Sequence, residues 1–296
     1  MRIKGSLSVL IAAILWGMIG IFVKNLERLG VTPVNIVFLR SFFTVIILGV
    51  FLAIKNDGSF KIAARDIPLF AANGIFSVVM FTYCYYKTIS LSTLSIAAVL
   101  MYTAPIFVMI ISVLFFKEKL TLTKIAALIL SFVGCAFVSG IVGTAVSVQT
   151  SAIVFGLLTG FGYSLYTIFG SRLVLKGYKT LTIVFYTFAF ASFGSLIILL
   201  LSGDMSITAY SPEAFLWAML MAVFNTILPY FFYTNGLKTL DASKAPIIAT
   251  VEPVAATVLG LFYGEKLTVF GVLGIILVFS SVVILNIRKE KQNIPD

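Results

Sequence analysis

The tetrapeptide Glu118-Lys119-Leu120-Thr121 recurs 147 residues later as Glu265-Lys266-Leu267-Thr268, each time between two long apolar runs. The segment from Tyr85 to Pro105 corresponds in the same way to the segment from Tyr233 to Pro253, at an offset of 148. This period is half of the 296-residue chain, whereas solenoids and propellers repeat roughly every 20 to 50 residues. The sequence therefore predicts one unit present twice, with residues 1–145 as the first repeat and 146–296 as the second.

The composition places both repeats in a lipid bilayer. Hydrophobic residues make up 60% of the chain and charged residues only 11%, which leaves too little polar surface for a water-soluble protein of this length. A helix needs about 20 apolar residues to cross the hydrocarbon core, whereas the strands of a membrane barrel alternate apolar and polar residues. The apolar runs of this chain are continuous, so they indicate helices.

Charge clusters and Gly, Pro or Asn turns divide the chain into ten apolar segments. We expect transmembrane helices near residues 6–24, 33–54, 67–87, 91–116, 123–142, 151–171, 180–201, 213–235, 244–263 and 267–287. Because five crossings per repeat is an odd number, the second repeat enters the membrane from the opposite side. The predicted fold is an all-α integral membrane protein with ten transmembrane helices, arranged as two inverted five-helix repeats. This architecture is typical of secondary transporters, whose similar halves open a central site to one face and then to the other.

Lysine and arginine residues indicate the orientation, because they concentrate in cytoplasmic segments. With the amino terminus inside, sixteen of the 21 lie on the cytoplasmic side, and only Lys24, Arg28, Lys87 and Lys266 lie on the other. The pattern predicts a multi-pass protein of a bacterial inner (plasma) membrane with both termini cytoplasmic. It also explains the net charge of +10, so we expect no nucleic-acid partner. The first segment lacks a small-residue cleavage site and is predicted to remain a membrane span.

Aromatic and polar side chains near mid-membrane are the candidates for a substrate path. Counting ~1.5 Å per residue from the helix ends puts five of them ~17 to 18 Å deep: Trp16, Tyr102, Tyr163, Tyr166 and Asn225. A tyrosine hydroxyl at this depth needs a partner inside the protein or in a polar cavity, and both alternatives stay open for the three tyrosines. Four further tyrosines lie near helix ends, where rings anchor at the lipid headgroups: Tyr83, Tyr86, Tyr230 and Tyr233.

Glu252 is an acidic residue within a predicted span, about 12 Å from the inner face. An acidic side chain in this position costs at least ~2.5 kcal/mol and is seldom kept without a counterion or a function. Glu252 is therefore a candidate for a reversible proton carrier, in a chain that has no histidine. The alternative is a structural ion pair with Arg40, which lies about 8 Å from it along the membrane normal.

Prolines and glycines mark further positions within the spans. Pro105 and Pro253 each remove a backbone hydrogen bond deep inside a helix, and both are predicted hinges, with simple packing kinks as the alternative. Two GxxxG spacings let helices approach closely: Gly156/Gly160 and Gly260/Gly264. No oligomer is inferred from them, and a homodimer is left open.

The remaining motifs are expected to be structural. Cys84 and Cys135 have no metal-ligand spacing, so we predict two free thiols and neither a metal nor another cofactor. The two Glu-Lys-Leu-Thr turns are expected to cap helices at the membrane boundary. Because these turns lie on opposite sides of the membrane, they cannot form one site.

Four stretches form a pattern when taken together: Leu15-Trp16-Gly17, Arg40, Pro105 followed by residues 118–121, and Glu252-Pro253 followed by residues 264–268. In order and spacing they resemble the ten-helix members of the EamA-type family in the drug/metabolite transporter superfamily, over nearly the whole chain. The resemblance implies two inverted five-helix repeats around a substrate path lined by helices 1, 3, 4, 6, 8 and 9. One position departs from the family: the glycine expected late in each half's last helix is Gly134 in the first half, but Ser281 stands there in the second. Close packing around helix 10 is therefore not expected from that position.

The predicted function is secondary active transport of a small metabolite by alternating access. The resemblance implies amino acids or related compounds as substrates and favours export. The chain has no Gly-x-x-x-x-Gly-Lys-Ser/Thr phosphate loop, so a proton gradient or the substrate's own gradient is expected to drive transport. A second hypothesis is import or export of choline-like or other organic cations, because aromatic rings and a carboxylate can enclose a quaternary ammonium group.

An integral-membrane enzyme is the remote alternative. Such enzymes gather several His, Asp, Glu or Cys side chains at one interface, whereas this chain has no histidine and Glu252 as its intramembrane acid. We therefore predict that the protein is not an enzyme and has no catalytic residues. Its expected partners are the lipid bilayer, a small-molecule substrate and protons.

Overall fold

The computed structural model describes residues 2–142, 148–204, 210–262 and 267–287. Within these residues the chain forms ten apolar helices and no strand. Nine of the helices are long and apolar enough to cross a membrane, and the tenth, α5, has 17 residues. The helices are α1 (Ile3–Arg28), α2 (Pro33–Lys55), α3 (Ala64–Leu91), α4 (Leu94–Phe116), α5 (Leu122–Val138), α6 (Thr150–Leu175), α7 (Thr180–Ser202), α8 (Pro212–Leu237), α9 (Ala245–Phe262) and α10 (Val269–Ile287).

The predicted all-α fold of ten spans is confirmed, and every helix end lies within four residues of its expected position. The proposed boundary between the repeats, at residues 145 and 146, lies outside the described residues and stays a prediction. Gly264, Glu265 and Lys266 lie outside them as well.

Five of the helices are irregular near their middles, and four of these irregularities repeat between the halves. A π-helical turn occupies Ile75–Met80 in α3 and Ala222–Ile227 in α8, at an offset of 147. Helix α4 is interrupted after Met101, at Tyr102, and α9 is interrupted at Thr250, 148 residues later. Helix α1 is interrupted at Met18, whereas its counterpart α6 is continuous. The sequence repeat is therefore also a repeat of helix distortions.

The two halves interlock, because the most extensive helix contacts join one repeat to the other: α1 with α8, α2 with α7, α3 with α6 and α5 with α10. Gly5 lies against Gly236 at one end of the α1–α8 pair, and Leu26 packs in one cluster with Ala214 at the other end. Helices α1 and α8 therefore run antiparallel. Helix α3 crosses in the same direction as α1, so it runs opposite to α8, its counterpart in the second repeat. The second repeat is therefore inverted relative to the first.

The surfaces of the bundle differ in character. We call the side at which α1 begins the N-terminal face; it also carries the turns α2–α3, α4–α5, α6–α7 and α8–α9. The ends of α1 and α3 lie at the opposite face. Large apolar side chains cover the outside of the helices, as contact with lipid requires. Examples are Ile54, Leu114, Leu122, Leu201 and Phe262.

Helices α5 and α10 approach closely through glycine. A Cβ atom on Gly134 would lie 2.9 Å from the carbonyl oxygen of Gly274, and one on Gly274 would lie 2.7 Å from the carbonyl oxygen of Gly134. Ser281 is buried two turns further along α10 and bonds its hydroxyl to the Val278 carbonyl at 2.7 Å. Close packing of α10 is thus present, but Gly274 provides it instead of the position held by Ser281.

We expect Gly134→Leu to destabilise the fold by about 2 kcal/mol or more, because the new side chain meets backbone of α10 that cannot move without separating the helices. The measurement is the melting temperature of the purified protein, with fluorescence-detected size exclusion as the readout. Gly20→Leu is the matched control, since nothing lies within 4 Å of a Cβ at Gly20. Equal melting temperatures for the two variants would contradict the close contact.

Candidate functional site

Trp16 lies at the centre of the bundle among three tyrosine rings. Its ring centroid is 5.2 Å from those of Tyr230 and Tyr233 and 6.2 Å from that of Tyr163. The Tyr230 and Tyr163 rings meet it edge to face, which is a favoured arrangement for aromatic pairs. The rings come from α1, α6 and α8, so three of the six predicted path helices meet at this tryptophan.

Tyr166 and Asn225 hold helices together. The Tyr166 hydroxyl is 2.7 Å from the Thr234 hydroxyl in a buried hydrogen bond between α6 and α8. Asn225 lies in the π-helical turn of α8 and donates from Nδ2 to the carbonyl oxygen of Leu15 at 2.9 Å. The same carbonyl accepts the Met18 N–H at 3.2 Å, at the interruption of α1 three residues further on. Of the two alternatives for the Tyr166 hydroxyl, a partner inside the protein or a polar cavity, the structure therefore shows the partner inside the protein.

The prediction that Tyr230 and Tyr233 anchor at the headgroups was wrong. Both rings are buried against Trp16, and the Tyr233 hydroxyl is 2.6 Å from the Thr167 hydroxyl. Helix α8 has 26 residues, so a tyrosine several residues from its end still lies inside the bundle. Tyr83, by contrast, is 53% exposed and faces outward. The i, i+3 spacing occurs in both repeats, so it could not distinguish the buried rings of Tyr230 and Tyr233 from the exposed ring of Tyr83.

Glu252 follows the interruption of α9 and is half-buried, with Oε2 inaccessible and without a hydrogen-bond partner. The Tyr163 hydroxyl is close enough to interact with it, yet that oxygen also lacks a hydrogen bond. Tyr102, at the interruption of α4, packs beside Val251 and lies within electrostatic reach of Glu252. The residue before the proline in the first repeat is Ala104, which is fully buried. Only the second repeat therefore has an acid at this place.

Arg40 is the second buried charge of the centre. Its guanidinium lies 5.9 Å above the Phe188 ring, and it reaches the Tyr230 hydroxyl and the vicinity of Tyr86. Nε of Arg40 has no hydrogen-bond partner. Among the residues that the structure describes, no ion pair joins Arg40 to Glu252. The proton-carrying role of Glu252 stays a prediction.

A series of aromatic rings connects the two charges. Phe188, under Arg40, is 4.9 Å from Tyr230, and Tyr230 is 5.2 Å from Trp16. Trp16 in turn contacts Tyr163, which lies beside Glu252. The centre of the bundle thus presents a cation and an anion at the two ends of an aromatic surface.

The two prolines begin new helical segments after the interruptions. Pro105 stands in the first turn of Ala104–Phe116, where its missing N–H group leaves no orphaned carbonyl. A threonine hydroxyl bonds to a backbone carbonyl at each interruption: Thr103 donates to Leu100 and Thr250 donates to Ile247, both at 2.6 Å. Hinge motion at Pro105 and Pro253 stays a prediction.

The first GxxxG pair is used inside the chain. Gly156 and Gly160 of α6 pack against Leu100 and Thr103, next to the interruption of α4. The small residues therefore let α6 approach the centre. Homodimer formation stays a prediction, and Gly264 of the second pair lies outside the described residues.

At the N-terminal face, ionic contacts join the α4–α5 turn to the α8–α9 turn. Glu118 accepts from Lys124 at 3.0 Å, from the Ala242 N–H at 2.7 Å and from the Ser243 hydroxyl. Asp241 pairs with the same Lys124 at 3.3 Å and with Lys244 at 3.2 Å. Burial raises the pKa of Asp241, but the two lysines outweigh burial and the pKa is lowered, so the acid stays ionised. The residues that make these contacts are called the turn network below: Glu118, Lys124, Asp241, Ser243 and Lys244.

The Glu-Lys-Leu-Thr turns also cap helices, as predicted. Thr121 accepts a hydrogen bond from the Lys124 N–H at 3.3 Å, and Thr268 accepts one from the Gly271 N–H at 3.0 Å. The membership of Glu118 in the turn network was not predicted.

The opposite face has a cavity of about 460 Å³ between the end of α1 and helices α2, α3 and α7. Its walls are mostly apolar, with Glu27 and Lys87 at the mouth and Tyr86 among the lining residues. Tyr86, one of its lining residues, is within electrostatic reach of Arg40.

Known proteins match the chain along almost its whole length. A relative from Archaeoglobus fulgidus, described as an "Uncharacterized transporter", is 27% identical over 281 residues, 95% of both chains. The "Uncharacterized inner membrane transporter YicL" of Salmonella typhimurium is 27% identical over 98% of this chain and 97% of its own. The "Uncharacterized transporter YxxF" of Bacillus subtilis is 25% identical over 97% and 91%. One solved crystal structure has the same fold, with a TM-score of 0.80 at 14% identity over 97% of both chains.

The family comparison matches each half of the chain separately. The family model described as "EamA-like transporter family" matches residues 3–140 and again residues 150–287. The two matches are 147 residues apart, which is the offset of the repeated tetrapeptide. The chain is a multi-pass membrane protein that belongs to the EamA-like transporter family.

Proposed function

We propose that the protein is a secondary active transporter that exports a small zwitterionic metabolite, an amino acid or a related compound, by alternating access. It would lie in a bacterial cytoplasmic membrane with the N-terminal face and both termini in the cytoplasm. The observation that carries this proposal is the pair of opposite charges on one aromatic surface, buried Arg40 and half-buried Glu252, neither of which has an ion pair among the described residues.

A zwitterion satisfies both charges at once. Its carboxylate accepts from the Arg40 guanidinium, while its ammonium group meets Glu252 and the faces of Trp16 and Tyr163. The helix count separates Arg40 and Glu252 by about 8 Å along the membrane normal, which suits a small zwitterion with a hydrogen bond of about 3 Å at each end. Without substrate, neither charge has an ionic partner among the described residues, so substrate binding offsets the cost of burying both charges.

The asymmetry between the two faces supports alternating access. The turn network ties the two repeats together at the N-terminal face, whereas the cavity of about 460 Å³ opens the opposite face. The structure therefore fits a conformation that is closed at the N-terminal face. The return step would break the contacts of Glu118 and close the opposite face through the corresponding motion of the inverted repeat.

Glu252 also provides a means of coupling. When it is ionised it attracts the substrate ammonium, and when it is protonated it does not, so a proton and the substrate exclude each other at one carboxylate. A carrier that returns only with one of the two bound exchanges them. Proton entry would then drive substrate export.

Counterflow in proteoliposomes tests the proposal. Vesicles loaded with an unlabelled amino acid mixture should accumulate labelled amino acid, because an alternating-access carrier exchanges the two pools. Protein-free vesicles and labelled choline are the parallel arms. Choline exchange without amino-acid exchange would select the second candidate, and no exchange of any substrate would overturn transport by this mechanism.

The second candidate is transport of an organic cation. It is supported by the aromatic surroundings of Glu252, since Trp16 and Tyr163 could enclose a quaternary ammonium group. Arg40 disfavours it, because a cation would meet an uncompensated guanidinium at the other end of the same surface. Catalysis is not part of the proposal: in the described ranges no group of three metal-binding side chains occurs, and the family is one of transporters.

A further inference from the structure

The N-terminal face has a second cavity, separate from the turn network, of about 470 Å³. It lies where the α2–α3 segment of the first repeat meets the α6–α7 turn of the second. Its charged and polar lining includes Lys61, Arg65, Asp66, Lys176, Tyr178 and Lys179. We call it the basic pocket.

The carboxylate inside the basic pocket already has hydrogen-bond partners within the protein. Asp66 accepts from Nζ of Lys176 at 2.7 Å and from the Tyr178 hydroxyl at 2.6 Å. The same hydroxyl accepts from the N–H of Ala63 at 3.1 Å. These contacts give the pocket a fixed wall and use the negative charge of Asp66.

The carboxylate beside the pocket is occupied as well. Asp57 accepts from both the N–H and the hydroxyl of Ser59, and it pairs with Lys55 and Lys179 at 3.1 Å each. The hydrogen bond from Ser59, followed by that from Lys179, holds the pKa of Asp57 well below its usual range. Asp57 is therefore an anion at physiological pH, and its charge is shared by two lysines.

Two further cations at the pocket lie outside these ion pairs, although the charge of Arg65 also acts on Asp66. Lys61 and Arg65 are exposed, and neither makes an ion pair with any residue in the described part of the chain. Together with the three lysines that pair with Asp57 and Asp66, they place five positive charges against two negative ones. The pocket has an excess of positive charge that the described residues do not neutralise.

Backbone N–H groups add to the positive potential of the basic pocket. Helix α7 begins at Thr180, directly after the pocket residue Lys179, and no side chain caps its first turn. Free N–H groups and the positive end of the helix dipole both favour an anion there. Apolar side chains border the pocket in sequence: Ile54 is 80% exposed and Leu175 is 70% exposed. The pocket therefore lies at the boundary between water and lipid.

We propose that the basic pocket binds a phosphate ester, with Lys61 and Arg65 as its two free anchors. The bordering apolar residues favour the headgroup of an anionic phospholipid over a soluble phosphate compound. Because its walls come from both repeats, a bound phosphate would hold the repeats together at the N-terminal face. The proposal is independent of the substrate and stands even if amino-acid exchange is not found.

The test uses the full-length protein in an uncharged detergent, with the melting temperature followed during titration. Three probes are compared: phosphatidylglycerol, phosphatidylcholine and inorganic phosphate. We expect phosphatidylglycerol to raise the melting temperature, since a ligand of the folded state stabilises it. Lys61→Gln with Arg65→Gln should weaken this binding about thirtyfold, from the attraction of two basic residues to an anionic headgroup.

Lys24→Gln with Arg28→Gln is the matched control, because it removes the same charge at the opposite face. It should leave the titration unchanged. Stabilisation by phosphatidylglycerol alone supports a lipid ligand, and stabilisation by inorganic phosphate that the pocket variant abolishes supports a soluble one. The proposal is overturned if no anionic probe stabilises the protein, or if the pocket variant and the control variant respond alike.

Discussion

Replacement of Glu252 by glutamine is expected to slow amino-acid exchange by about thirtyfold or more, because one charge-assisted hydrogen bond to the substrate is lost. Glutamine keeps the size of the side chain and most of its hydrogen-bonding capacity, so the change isolates the charge. The remaining exchange should no longer depend on pH around neutrality, since the group that exchanges protons is gone. The measurement is the initial rate of counterflow in proteoliposomes at several pH values.

Glu213→Gln is the control for this experiment. Glu213 is exposed at the opposite face and pairs with exposed Arg28 at 3.2 Å, so its removal should change neither rate nor pH dependence. The melting temperature of Glu252→Gln should equal or exceed that of the parent, because an unpaired charge leaves the apolar centre. Unchanged, pH-dependent exchange in Glu252→Gln would remove both the coupling role and the ammonium-binding role of this residue.

Replacement of Arg40 by methionine is the second change with a large expected effect. Amino-acid exchange should fall to the level of protein-free vesicles, because the substrate carboxylate would enter an apolar site without a counter-charge. The protein should stay folded, since Arg40 has no ionic partner among the described residues and its loss leaves no buried carboxylate alone. Counterflow and melting temperature are measured on the same preparation.

Arg172→Met is the matched control for Arg40. Arg172 lies 5.6 Å above the Phe116 ring, close to the 5.9 Å of Arg40 above Phe188, so both substitutions remove a guanidinium from an aromatic face. Only the change at Arg40 should abolish exchange. An amine that lacks the carboxylate should compete with the amino acid better in Arg40→Met than in the parent. A large fall in melting temperature would instead assign Arg40 to the fold.

The fold could be predicted from the sequence because the bilayer imposes simple rules. Each span must be an apolar helix of about 20 residues, and an odd number of spans per repeat leaves only the inverted arrangement. The interruptions near Pro105 and Pro253 were also foreseeable, since proline cannot donate to the preceding turn. The interruption of α1 at Met18 has no proline and was not predicted.

The candidate site could be predicted only in part, because a depth along one helix does not determine which helices meet. The count along each helix found Trp16 and Tyr163, but it assigned Tyr230 and Tyr233 to the headgroup region. Their burial depends on the length of α8 and on its packing against α1. The turn network was missed for a similar reason: Glu118 and Asp241 are far apart in sequence and meet only when the two repeats assemble.

The place before the proline is occupied by alanine in the first repeat and by glutamate in the second, and this difference fixes the electrical character of the proposed exchange. A single carboxylate at Glu252 allows one proton to enter for each neutral zwitterion that leaves, so every turnover carries one net positive charge inward. The membrane voltage then drives export along with the proton gradient, and it contributes about 2.3 kcal/mol per turnover for each 100 mV.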